Sequence, residues 1–171
     1  MPGGRYHILT RTALLLALTL LFQSLRLIIP LPVLMSTFLI GTLVNACLLI
    51  AAETIGLRAA LFISVMAPVV AYMQQLLPLP IFILPVLAGN AVYVVLFLAI
   101  FRWRRWLAIL TAGVGKTAVL YGFFSWMLTW IAVPGPMAAG LLFVMSWPQL
   151  GTAIAGGFLA GMIVRRVGSK I

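Results

Sequence analysis

The chain has 171 residues, 65% hydrophobic and 7% charged, and a mean hydropathy of +1.26, which excludes a water-soluble globule. At about 20 residues per span it holds roughly six membrane helices with short connections, as one domain over 1–171 with no room for an ATPase of its own. The formal charge of +10 comes from 11 Lys and Arg against a single acid, but these cations stand singly or in short groups at the ends of apolar runs, with no basic arm or helix to bind nucleic acid.

The first apolar run, near 8–29, follows Arg5 and Arg11 and continues to Ile29 without a small-residue cleavage site, so it reads as a membrane span and not a cleaved leader. Within it Thr19, Gln23 and Arg26 recur at steps of four and three and make a polar stripe, expected to face inward. Ala13 and Ala17 lie roughly opposite, a small-residue ridge open to a partner helix. Further runs follow near 33–52, 58–76, 81–101 and 107–131. The last, 137–164, would reach about 42 Å as one straight helix against a hydrocarbon core of about 30 Å. It is therefore expected to kink or break near Pro148, with 137–146 as a short outer segment. In the same run Gly157-x-x-x-Gly161, extended by Ala153 and Gly156, predicts close helix packing.

The connections alternate in charge. Arg58 and the Arg102, Arg104, Arg105 group flank two of them, while those around 77–80 and 132–136 carry no charge. Together with Arg5, Arg11, Arg165, Arg166 and Lys170, this bias predicts an all-α integral membrane protein of six spans with both termini cytoplasmic. The three outer connections each hold Pro-x-Pro, at Pro30/Pro32, Pro78/Pro80 and Pro134/Pro136, where the missing N–H is harmless at a helix start.

Two cations fall inside spans, where each costs at least about 2.5–3.5 kcal/mol and so faces a cavity, a partner or a ligand. Arg26 lies about one turn from the outer end and has the further option of reaching the headgroups. Lys116 is ten residues beyond Trp106, about 15 Å into the membrane, with Phe123 and Trp130 on the same helical face above it. With Asn90, Trp147 and Gln149 in the outer half, these residues form a candidate site for a small amphipathic ligand with an anionic end. Glu53, the only acid, stands at an inner helix end and is expected to pair with Arg58 or with solvent.

Gly113-Val114-Gly115-Lys116-Thr117 ends like a phosphate-binding loop, but the first required Gly falls at Leu110 and no strand precedes it. His7, Cys47 and Glu53 have no evident partners, so neither catalysis, a metal site nor a cofactor is expected.

In its size, its six spans with both termini inside, the Ala13-x-x-x-Ala17 ridge, the outer polar residues, and the stretches Gly41-Thr42-Leu43-Val44-Asn45-Ala46 and Ala88-Gly89-Asn90-Ala91, the chain resembles the S components of energy-coupling factor vitamin transporters. That resemblance implies a multi-pass subunit of a bacterial plasma membrane, without ATPase activity. It would capture a vitamin or related micronutrient outside and deliver it to a transmembrane T component and two cytoplasmic ATPase subunits. Ala13 and Ala17 match the ridge through which the family meets the T component. Two other readings stay open: a solitary binding or sensor protein for an amphipathic ligand, and a structural subunit whose Arg26 and Lys116 pair with acids of another chain.

Overall fold

Apolar runs of this length fold as helices because a backbone inside hydrocarbon must satisfy its own N–H and C=O groups. The computed structural model describes residues 3–168, with side chains from 6 to 166. They form α1 (Gly3–Ile28), α2 (Val33–Thr54), α3 (Leu57–Met73), a 3-10 turn (Pro80–Phe82), α4 (Ile83–Ile100), α5 (Arg105–Leu128), α6 (Gly135–Val144) and α7 (Trp147–Gly168). Among the described residues there is no strand. Lys170 lies outside the described residues, and Arg5 outside those with described side chains.

Tyr6–Ile28, Val33–Thr54, Pro80–Ile100, Arg105–Leu128 and Gly135–Arg166 are long and apolar enough to cross a bilayer, whereas Leu57–Met73 is apolar but shorter. The all-α membrane class is therefore as expected. The expected 58–76 run stops early because its end is capped. Gln75 takes a left-handed conformation at φ 59°, the Gln75 amide donates to Tyr72 O, and the Leu76 amide donates back to Ala71 O, the paired bonds of a Schellman ending. Only two residues separate α2 from α3, and one of them, Gly56, sits at φ 122°, where a side chain would be strained.

The long last run breaks as expected near Pro148. The interruption falls at Met145 and Ser146, and Pro148 is absorbed into the first turn of α7, where its missing N–H costs no helix bond. The short α6 thereby folds back against α5 and α7.

Packing centres on α2, which lies against α1, α3, α4 and most extensively α7, while α4 and α5 form the other major pair. The α2–α7 contact depends on Gly156: a Cβ there would lie 2.8 Å from Thr42 O and 2.6 Å from Asn45 Cβ. The predicted small-residue ridge thus meets a helix of this same chain. One apolar core joins Leu48, Leu49, Ile63, Tyr93, Phe97 and Ile109. A second, built on Phe82, Leu120, Phe124, Met127 and Met145, fills the Pro-rich end between α4, α5 and the α6–α7 break.

α1 packs on the first core only through the partly buried Leu15 and Leu16. Its stripe turns inward at Thr19 and Gln23, both buried, while Arg26 at the outer end is exposed, as are Leu9, Leu14, Leu21, Ala13 and Ala17. At the opposite, basic end, Glu53 corrects the expectation of an Arg58 or solvent partner. Both its carboxylate oxygens accept from Arg105, at 2.8 Å from Nη1 and 2.6 Å from Nη2. The reason is topological: α5 begins with Arg105 beside the end of α2, whereas Arg58 projects outward from the start of α3 and is exposed.

Candidate functional site

Lys116 is the pivot of the interior. It is buried at 4% exposure midway along α5, and its ammonium donates to Asn45 Oδ1 at 2.5 Å and Asn90 Oδ1 at 2.8 Å. Its Nζ also lies 5.3 Å from the centre of the Tyr93 ring, whose negative face stabilises a cation. The supporting groups are themselves fixed. Asn45 Nδ2 donates to Thr152 Oγ1 at 3.3 Å, Thr152 Oγ1 donates to Gln149 O at 3.0 Å, and Tyr93 Oη donates to Ala153 O at 2.5 Å. Four helices, α2, α4, α5 and α7, are thereby tied at one level. An ammonium has three donors, and two go to the asparagines, which leaves one for a group in the cavity that Lys116 lines.

That cavity has a volume of about 830 Å³ and occupies the Pro-rich half of the bundle. Lys116, Asn45 and Asn90 line it at the level of the helix tie. Arg26 and Gln23 come from α1, Pro32 and Pro78 from two of the Pro-rich connections, and Met137, Leu141 and Phe143 from α6. Its size falls in the range of small-molecule sites, which are apolar with a few convergent polar groups. Arg26 is fixed on this side by its Nε donating to Ser36 Oγ at 2.9 Å and Nη2 to Thr37 Oγ1 at 3.2 Å. The chain's single carboxylate is held by Arg105 and lines no part of this cavity. The site therefore presents two cations without a counter-charge of its own, plus a buried acceptor, Gln23 Oε1, that has no hydrogen-bond partner.

Of the residues singled out from sequence, Arg26, Asn90, Lys116 and Gln149 converge on this cavity. Phe123, Trp130 and Trp147 do not line it. α5 ends at Leu128, so the helical projection from Lys116 fails before Trp130, which is 77% exposed. Phe123 packs at the edge of the Pro-rich-end core and against Trp126, with 5.8 Å between ring centroids. Trp147 opens α7 on the outside of the bundle, packed on Phe38 at 5.6 Å and Phe143 at 6.0 Å and still 55% exposed. The apolar wall comes instead from α6 and α2, with Ile40, Val44 and Leu141 in place of the expected aromatics. Gln23 was legible as part of the inward stripe with Thr19 and Arg26, whereas Asn45 was legible only as a polar group inside a span, with no sequence signal joining it to Lys116.

No known protein family, curated protein or solved structure matches this chain.

Proposed function

We propose that the protein is a membrane-embedded binding subunit for a small anionic, amphipathic molecule, of the S-component type found in energy-coupling factor importers. The observation that carries the reading is a cavity lined by two cations, four amide side chains and no acid, on otherwise apolar helices. An anion placed between Arg26 and Lys116 gains most where water is scarce, because the attraction grows as the effective dielectric falls. Gln23 Oε1 supplies an acceptor for a donor group on the same ligand. The structural-subunit reading draws less support, since the Lys116 ammonium already has both asparagine carbonyl oxygens and lies inside its own bundle.

In this reading, transport is powered by separate subunits. In the proposal a T component docks on α1, whose exposed Ala13 and Ala17 allow a close helix approach, and two ATPase subunits complete the importer. The positive-inside bias orients the Arg-rich end toward the cytoplasm and the cavity toward the outside of a bacterial plasma membrane. The test is affinity purification from the native membrane in mild detergent. A transmembrane protein and two ATPases are expected with the parent and absent with Ala13→Leu/Ala17→Leu. A well-folded parent that comes through without ATPases would contradict the importer reading.

A further inference from the structure

The basic end of the bundle holds a second cavity, of about 420 Å³, between the start of α5 and the last turns of α7. Its rim is cationic, formed by Arg104, Arg105 and Arg165. Glu53 engages both Nη atoms of Arg105 and neutralises that guanidinium, but the buried Arg105 Nε has no acceptor. Arg104 and Arg165 are exposed, and the chain has no other acid to pair with them. The α5 start adds no competing carboxylate, having neither a capping side chain nor an acid in its first turn. Two uncompensated charges, on Arg104 and Arg165, therefore flank the opening.

Below the rim the walls are apolar. Ile109 lies about 6 Å along α5 from Arg105, and Phe158 about 10 Å along α7 from Arg165, by helical rise. Phe158 and Met162 are 53% and 59% exposed, so this wall faces outward from an apolar helix. Gly161 lets the Arg105 guanidinium pack directly on α7, since a Cβ there would fall 2.8 Å from Arg105 Nε. Charge at the rim above an apolar, side-facing wall is the vertical profile of a phospholipid.

We propose that this cavity is a binding site for an anionic phospholipid, with the phosphodiester at Arg104 and Arg165 and an acyl chain along Phe158 and Met162. A soluble phosphate would use the rim alone and leave the wall unfilled, whereas a lipid uses both. Charge-assisted bonds from guanidinium to phosphate supply the selectivity for an anionic headgroup over a zwitterionic one. The site is separate from the Lys116 cavity and does not depend on the function proposed for it.

The experiment is native mass spectrometry of the delipidated full-length protein in a neutral detergent, titrated with phosphatidylglycerol or phosphatidylcholine of equal chain length. One phosphatidylglycerol is expected to bind, about tenfold more tightly than phosphatidylcholine. Arg104→Gln/Arg165→Gln should lose that preference. Arg58→Gln/Arg102→Gln removes the same charge from exposed residues off the cavity and should keep it. Met162→Glu, which sets an acid on an exposed part of the wall, should also lose it. Equal loss in the two double variants would reduce the effect to net charge and overturn the proposal. Glycerol phosphate binding as tightly as the lipid would overturn it in favour of a soluble phosphate.

Discussion

Lys116 and Arg26 could be found from sequence because a cation in an apolar run is costly enough to demand a reason. Their partners could not, because Asn45, Asn90 and Thr152 converge only when α2, α4 and α7 have packed. The aromatics failed for a related reason: Trp130 and Trp147 are as apolar facing lipid as facing a cavity, and only the end of α5 and the break before α7 decide which way they turn. Glu53 shows the same dependence on tertiary structure. Its side chain is 15% exposed and that of Arg105 22%, so the pair is largely removed from solvent. Replacing Glu53 by Gln leaves a half-sheltered guanidinium without its counter-charge, an expected loss of about 1–3 kcal/mol. Thermal unfolding in detergent measures it: the midpoint should fall for Glu53→Gln, and an unchanged midpoint would show the pair to be a bystander.

Among the elements, the apolar helices were legible because length, Pro and charge each mark a helix end in a membrane chain. The early end of α3 was not, since a non-glycine residue in the left-handed region, Gln75, gives no warning in the sequence. The small residues of α7 were legible as a packing ridge but not as to whose helix they meet. In the fold they meet α2 and α5, with Gly157 against Ile109 and Gly156 against the α2 backbone. Gly156→Leu should therefore separate α2 from α7, pull Asn45 away from Thr152, and cost about 1–3 kcal/mol or more through overpacking. The same change at Gly140 on α6 meets nothing within 4 Å and should be tolerated. Comparing the yields of monodisperse protein for the two variants checks this, and equal yields would mean that the α2–α7 approach is not needed for folding.

The whole molecule is polarised along the bundle. One end is compact, basic and stapled by Glu53 and Arg105, while the Pro-rich end encloses a cavity of about 830 Å³ beneath the folded-back α6. Between them lies the level at which Lys116 ties four helices. A ligand seated on that tie touches elements from both halves, so its capture can bias how α6 and the Pro-rich connections pack. In a protein whose only acid is committed elsewhere, the charge balance of an occupied site has to come from the ligand. The most direct measurement is denaturing extraction of the purified protein followed by mass spectrometry of the released small molecules, comparing the parent with Lys116→Met, which keeps the buried volume and removes the charge. An anionic compound released by the parent, and about tenfold less of it from a Lys116→Met protein with an unchanged elution profile, is the predicted result. The same compound in equal amount from both proteins, or a cationic compound from either, would contradict the account.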